Sequence, residues 1–357
     1  MRARAIFRES WRNFASGASG SVGVVLVLSV VGGVLGCLDA SAVGTAHQEV
    51  QQYLSSAADT RVVISTGRVS PSACDSLSAR ADTTGSGALR DSGSTRLPAA
   101  PGLSISTYEV SAGFVSLVLT KGDQTGMVMS AELAGRLGYQ TGDLVETSSG
   151  PVRLSGVFDW PDDGRDARLH YALLVSSESV PAFDECWARI EPGHGQAYYD
   201  ELLSATLLAT LDAGSNVQLG QVNNTHGKDL SPSALVNDRV TKLAWLAALL
   251  GGACIGVFAV WQRRLSLSSN LHAGARRADL LATVLVEDLF CVVSSGMVAT
   301  GSAAAVLAFS PFADELAELL VRSVLVTGWC LLGFVIGSLA YAATTRESQL
   351  FRLFKSR

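Results

Sequence analysis

Charged residues are scarce in this sequence of 357 residues, of which they make up 17%, and lysine is scarcer still. Arginine supplies most of the basic side chains, a bias that indicates a GC-rich bacterial genome. A net charge of −5 provides no basic face of the kind that binds nucleic acid, so we expect no nucleic-acid partner. The mean hydropathy of +0.30 favours a chain that is part membrane protein and part soluble domain. The lysines are Lys121, Lys228, Lys242 and Lys355.

The motifs of common enzyme chemistry are also missing. The phosphate-binding pattern G-x-x-x-x-G-K-[ST] does not occur, since the nearest stretch, Gly227-Lys228-Asp229, lacks the hydroxyl and the preceding glycine. The five histidines are scattered without the spacing that brings metal ligands together. Asp91-Ser92-Gly93 resembles a serine-protease fragment but has no base nearby. We therefore expect no enzyme activity, metal or cofactor in this chain, and any ATP would be bound by a partner.

The sequence does contain four long apolar runs. Each is near or above the roughly 20 residues that a helix needs to cross the hydrocarbon core of a bilayer. We predict an integral membrane protein with a mixed α+β extracytoplasmic domain at 43–240, inserted between spans one and two. The predicted spans are 18–42, 241–262, 280–309 and 319–344.

Arginine placement predicts the orientation. Arginines precede span one, occupy the connection 263–279 and follow span four in the tail 345–357, whereas the short loop 310–318 carries acids. The positive-inside rule then places both termini in the cytoplasm of a cell with this chain in its plasma membrane, where the lipid bilayer is a partner. The arginines and the lysine concerned are Arg2, Arg4, Arg8, Arg12, Arg263, Arg264, Arg276, Arg277, Arg346, Arg352, Lys355 and Arg357.

The N-terminus has more than one interpretation. Its arginine-rich flank, apolar run and Ala40-Ser41-Ala42 resemble a cleavable signal peptide, and Val34-Leu35-Gly36-Cys37 is a poor lipobox. Retention as a first span is simpler, because cleavage leaves three spans with an odd topology. Residues 1–17 are predicted to form an amphipathic helix in the interface, and an ordinary polar leader is the alternative. One arc of that helix would hold Ile6, Phe7, Trp11 and Phe14, and the other Arg4, Arg8 and Arg12.

Several elements of the outer domain follow from local patterns. A helix is predicted over 48–56 and a strand over 61–65. The stretch 82–101, rich in Gly, Ser, Thr and Pro, indicates a loop or flexible connection. A further apolar-periodic helix is predicted over 197–211, with Leu202, Leu203, Thr206 and Leu207 facing inward.

The clearest packed unit of the outer domain is 128–158. Ser130 is predicted to cap a short helix that stops at Gly138. A hairpin is predicted to join 144–147 to 152–157 across Ser149-Gly150. Together these predict a small helix-plus-hairpin subdomain.

Two of the six cysteines fall in the outer domain. An oxidising compartment favours a disulfide between Cys74 and Cys186, and two unpaired buried thiols are the alternative. The other four lie in predicted spans, where a thiol behaves as a small apolar residue. These are Cys37, Cys254, Cys291 and Cys330.

Two kinds of residue are unusual within the spans. Glu287 and Asp288 are acids inside a span, which marks a function unless Arg276, Arg277 or an interfacial water pairs with Glu287. Glycines at small-xxx-small spacing predict close helix contacts, either within the chain or between two copies. They are Gly251, Gly252, Gly333 and Gly337.

The connection between spans two and three carries a more specific pattern. A basic pair leaves span two, a Gly-Ala-Arg element follows about ten residues later, and an acid lies just inside span three. In this pattern the chain resembles the MacB/FtsX permease family of ABC transporters. The resemblance extends to the order of spans and to residues 129–158, but Ser266 stands where many relatives have an acid. The residues in register are Arg263, Gly274, Ala275, Arg276 and Glu287.

The resemblance implies a function. Residues 263–279 would form a coupling helix seated in a groove of a separate ABC-type ATPase subunit, and a second copy of this permease or a related permease would complete the complex. ATP hydrolysis would move the outer domain mechanically, for export or extraction of an amphipathic or peptide-like substrate. An FtsX-like regulator of a cell-wall hydrolase is the alternative, and a merely orienting basic loop is the plainer one. The coupling residues would be Arg263, Arg264, Gly274, Ala275, Arg276 and Arg277.

Overall fold

The computed structural model describes residues 3–15, 20–119, 126–147, 150–177, 179–209 and 216–345. Two compact units divide the chain. The helical unit comprises Met1–His47 with Ala234–Arg357, and the sheet unit comprises Gln48–Ser233.

The helices of the described residues are α1 (Ala3–Ala15), α2 (Ser21–Ser55), α3 (Pro71–Ser76), α4 (Ala112–Val118), α5 (Ala131–Leu137), α6 (Gln196–Ser204), α7 (Pro232–Asn237), α8 (Ala244–Gln262), α9 (Arg264–His272), α10 (Arg277–Ala308) and α11 (Leu316–Thr344). The strands are β1 (Thr60–Val69), β2 (Thr83–Thr95), β3 (Ile105–Val110), β4 (Met127–Ser130), β5 (Leu144–Thr147), β6 (Gly150–Phe158), β7 (Ala172–Ser176), β8 (Phe183–Ile190) and β9 (Gln218–Gln221).

Within the described ranges, four helices are long and apolar enough to cross a membrane, namely α2, α8, α10 and α11. Each predicted span overlaps one of them. Helix α2 continues to Ser55, which confirms the helical stretch predicted over 48–56. The orientation and the domain boundaries remain predictions, and the tail from 346 onward lies outside the described residues.

Helices α8 and α11 pack with their backbones in direct contact. A Cβ atom on Gly252 would lie 1.9 Å from the carbonyl oxygen of Cys330, and one on Gly333 would lie 2.0 Å from that of Leu249. Since no side chain fits there, glycine alone allows this approach. Gly252, Gly333 and Gly337 therefore lie in a contact within the chain, whereas a Cβ atom on Gly251 would meet only Val31 of α2, at 3.6 Å. A second pair of glycines repeats the contact one turn further along, Gly256 and Gly337.

Helix α1 carries the aromatic arc that its sequence predicts. Phe7, Trp11 and Phe14 surround Phe290 of α10, with ring centroids 5.3 to 5.5 Å from it. Phe7 and Trp11 are still 57% and 51% exposed, and Arg8 and Arg12 are exposed as well. Aromatic side chains that keep about half of their surface exposed beside arginines suit an interface between lipid and water. The side chains of Arg4 and Ile6 lie outside the described residues.

The sheet unit is built on one mixed sheet. Its nine described strands lie in the order β5-β6-β4-β7-β3-β2-β8-β1-β9. Strands β3 and β7, and β4 and β6, pair in parallel, while the other pairs are antiparallel. Successive residues alternate between faces, so Val62 packs with Phe114 and Trp187 on one face, and Val63 packs with Cys186 on the other. Both faces of the central strands are therefore covered, and the strand predicted over 61–65 is confirmed within β1.

The loop predicted over 82–101 is wrong, because most of this stretch forms β2 between β3 and β8. Its glycines serve packing. A Cβ atom on Gly87 would lie 2.0 Å from the backbone nitrogen of Phe114, so only glycine lets α4 approach the strand this closely. The neighbouring Ala88 and Leu89 are fully buried. A composition typical of loops here belongs to a central strand.

The helix-plus-hairpin subdomain has the predicted elements. Helix α5 ends at Gly138, whose φ of +77° is a left-handed conformation that favours glycine. Strands β5 and β6 form the antiparallel hairpin, and Ser149 lies outside the described residues. Ser130 occupies the N-cap position, but its Oγ accepts a hydrogen bond from the backbone N–H of Ala172 at 3.2 Å instead of capping the helix.

The helix predicted over 197–211 is too long, since α6 ends at Ser204. Beyond this point the backbone pairs with the end of β1: the N–H of Leu208 donates to the carbonyl of Arg68 at 2.7 Å. Sheet pairing therefore overrides the helical pattern. Leu203 and Thr206 are buried as predicted, and Leu211 lies outside the described residues.

The predicted disulfide is present and joins Cys74 of α3 to Cys186 of β8. Both cysteines are fully buried in the same hydrophobic cluster. The bond therefore fixes a helix onto the middle of the sheet.

A buried acid follows the end of α2. Ala57 has a φ of +56°, and its N–H and that of Ala58 bond back to Leu54 and Tyr53, which is the Schellman way of ending a helix. Asp59 follows this turn, and burial raises the pKa of its carboxyl to about 6. The charge of Arg189, 3.8 Å away, lowers that pKa but does not offset the effect of burial.

The raised pKa of Asp59 predicts that the sheet unit is more stable at pH 4 than at pH 7. Its pKa is about 3.9 in an unfolded chain, so between about pH 4 and 6 the folded state binds more protons, and the free energy of unfolding falls as pH rises. Relative to Asp59→Asn, the wild type should lose roughly 2 to 3 kcal/mol between pH 4 and 7. Urea unfolding of the sheet unit in the detergent-solubilised full chain, followed by pulse proteolysis, measures this. Parallel pH profiles for the two proteins would refute the assignment.

Candidate functional site

The predicted coupling residues lie on a helix and a turn. Arg263 is at once the last cap of α8 and the first cap of α9. At the other end, the N–H of Gly274 bonds to Leu271 and that of Ala275 to Asn270. This Schellman turn needs the left-handed φ of +87° at Gly274. The Gly-Ala element of the sequence is therefore a helix stop that turns the chain into α10.

Helix α9 is held by its apolar side. Leu267 is buried in a cluster with Val260 of α8, Leu280 and Val284 of α10, and Ala342 of α11. Helices of nine residues are marginal on their own, so this contact and the two ends decide where α9 lies.

A cleft of about 370 Å³ separates α9 from the first turns of α10. Polar and apolar residues line it in equal measure, and the ion pair described next lies among the polar ones. The lining residues are Arg263, Ser266, Leu267, Asn270, Ala273, Gly274, Ala275, Asp279, Leu280, Thr283, Val284 and Glu287.

Arg263 and Glu287 form an ion pair across the cleft. The Glu287 side chain is only 4% exposed and that of Arg263 is 24% exposed. The sequence suggested Arg276 or Arg277 as partners of Glu287, but these begin α10, where a helical rise of 1.5 Å per residue puts them about 15 Å away along the axis. The observed counter-charge, Arg263, lies instead at the N-terminal end of α9.

Asp288 faces a different neighbour. The hydroxyl of Ser338 on α11 donates a hydrogen bond to its carboxylate, and both residues are buried. Consecutive side chains on a helix point about 100° apart, so the two acids hold different elements. Ser338, a polar residue in an apolar helix, was not predicted as a site residue.

The other arginines have different surroundings. The Arg264 guanidinium lies 4.9 Å from the centre of the Trp261 ring, a cation–π contact. Arg276 and Arg277 are exposed at the start of α10, where Arg276 is the N-cap. The site thus has an inner ion pair and an outer cationic surface. Asn270, Asp279 and Thr283 complete the cleft and were not predicted.

Comparison with known proteins gives weak similarities. No family model and no curated protein match the chain. A solved structure described as a domain of a permease protein from Porphyromonas gingivalis is 14% identical, covering 47% of this chain and 92% of its own, with a TM-score of 0.34. The extracellular domain of the noncanonic ABC-type transporter YknZ from Gram-positive bacteria is also 14% identical, covering 44% and 99%, with a TM-score of 0.30. Similarities at this level do not establish the family.

Proposed function

We propose that this chain is the permease subunit of an ABC transporter of the MacB/FtsX type. In this proposal a separate ATPase subunit binds against α9, and the sheet unit lies outside the membrane. The observation that carries it is the position of α9, a short helix between two helices of membrane-spanning length, with exposed arginines directly after it.

The chemistry of this surface suits a protein partner. A guanidinium can bind a carboxylate through two parallel hydrogen bonds, which makes exposed Arg276 and Arg277 suitable ligands for acids of an ATPase. Because Leu267 keeps α9 packed on α8, α10 and α11, a displacement of α9 would be passed to those helices. A dimer of this permease, or a pair with a related permease, would then act on an amphipathic or peptide-like substrate.

Reversing the outer charge should uncouple the partner. In an Arg276→Glu/Arg277→Glu variant, like charges would face the acids of the ATPase, and the lost contacts predict affinity weakened about 100-fold or more. Stimulation of ATP hydrolysis by the permease in nanodiscs, titrated with purified ATPase, measures this. The matched control is Arg276→Lys/Arg277→Lys, which keeps the charge and should retain most of the stimulation. Undiminished stimulation in the glutamate variant would contradict the coupling role.

A pull-down with the full chain separates transport from regulation. A bound lipid or peptide would support transport. Recovery of a cell-wall hydrolase would instead favour the regulatory function of the FtsX type.

A further inference from the structure

Two adjacent acids of α10 hold two different elements. Glu287 pairs with Arg263, where α8 gives way to α9, and Asp288 accepts a hydrogen bond from Ser338 of α11. Both acids are buried. At this level the joint at Arg263, helix α10 and helix α11 are therefore tied together by polar contacts.

Arg263 is well placed to control the direction of α9. Its backbone belongs to both helices, since its own N–H bonds to Val260 of α8 and its carbonyl accepts from Leu267 of α9. Its side chain then bonds to α10. Fixing this one residue fixes the point about which α9 would turn.

The pair should persist while α9 moves. Separating it would break a charge-assisted hydrogen bond to a carboxylate that is only 4% exposed, and such bonds are strong where water is excluded. A displacement of α9 at this end would therefore move α10 with it, and Asp288 would extend that tie to α11.

We infer that Arg263 and Glu287 are a positioning pair, which sets the orientation of α9 and transmits its displacement to α10. The inference rests on the proposed function for the displacement itself. Glu287 decides it, because a side chain this deeply buried does not act by touching an ATPase.

The first experiment measures ATPase stimulation by full-length permease in nanodiscs. Glu287→Gln should lower the stimulation about tenfold while the ATPase still co-purifies, whereas Arg276→Glu/Arg277→Glu should lose co-purification itself. The double variant Arg263→Gln/Glu287→Gln removes both charges together and should be no worse than the poorer single variant, because the two act as a unit. Arg263→Lys should restore part of the stimulation lost in Arg263→Gln. The matched control is Arg322→Gln, which removes the same charge from α11 about 24 Å along the helix from Ser338 and should couple normally.

The second experiment needs no ATPase. Hydrogen–deuterium exchange of the same nanodisc samples should show the amides of 264–276 exchanging about tenfold faster in Glu287→Gln and Arg263→Gln than in the wild type and Arg322→Gln. Unchanged exchange together with full stimulation in Glu287→Gln would refute the positioning role of the pair. Faster exchange with full stimulation would show that the pair positions α9 but does not transmit its displacement to α10. If wild-type permease never stimulates the ATPase, the proposed function fails, and the exchange data alone decide whether the pair positions α9.

Discussion

Replacing Gly333 with leucine is expected to prevent α8 and α11 from packing. A Cβ atom there would lie 2.0 Å from the carbonyl oxygen of Leu249, and backbone cannot move aside as a flexible side chain can. The helices would have to separate and open the reciprocal contact at Gly252 as well. We expect a loss of about 3 kcal/mol or more, which is a large fraction of the stability of a typical folded chain. The yield of monodisperse protein in detergent and its midpoint of thermal unfolding measure the effect.

The same helix supplies the control. Gly328 of α11 is exposed, and a Cβ atom there would meet nothing within 4 Å. Gly328→Leu adds the same side chain with the same gain in helix propensity. It should leave yield and midpoint near those of the wild type. Equal damage from the two substitutions would mean that the α8–α11 contact is not the cause.

Removing the disulfide should have the largest effect on the sheet unit. The bond joins residues 112 positions apart, and in the chain-entropy model a loop of this size stabilises by roughly 4 to 5 kcal/mol. Cys186 lies on β8, which pairs with β1 and β2, so the link holds α3 against three central strands. Cys74→Ala/Cys186→Ala should therefore unfold at much lower urea concentration. Pulse proteolysis of the detergent-solubilised full chain reports the midpoint.

Two controls separate the link from the cysteine side chains. Wild-type protein treated with a reductant should approach the midpoint of the double variant. Cys254→Ala alters an exposed free cysteine in α8 and should leave the sheet unit unchanged. A double variant as resistant to urea as the wild type would show that the bond adds nothing to the stability.

Local patterns predict elements whose causes are local. Apolar runs identify the four long helices, and Gly138 identifies the end of α5, because length and backbone conformation are properties of the segment itself. Strand β2 could not be predicted in this way, because its cause is not local. The same glycines that permit a flexible loop also permit α4 to touch a strand, and only the tertiary contact at Gly87 distinguishes the two.

The candidate site shows the same limit. The Gly-Ala-Arg element and the acid Glu287 stand out in the sequence, but their relation depends on where α9 returns the chain. Arg263 is 24 residues before Glu287 and forms a hydrogen bond to it. Helical rise alone argues against Arg276 once α10 is known to begin there. Predicting Arg263 as the partner would also require knowing that the turn at Gly274 brings the start of α9 back beside α10.

The strand order has a consequence for how the protein is made. Strand β1 lies between β8 and β9, so both of its neighbours are synthesised long after it. Arg61, for example, pairs with Ala188 on one side and with Gln221 on the other. At about 5 to 20 residues per second, the ribosome needs roughly ten to thirty seconds to supply the last of them. Both edges of β1 are unpaired until β8 is made, and one edge stays unpaired until β9 follows. An unpaired strand edge can pair with another chain, so aggregation of the nascent chain is a hazard in producing this unit.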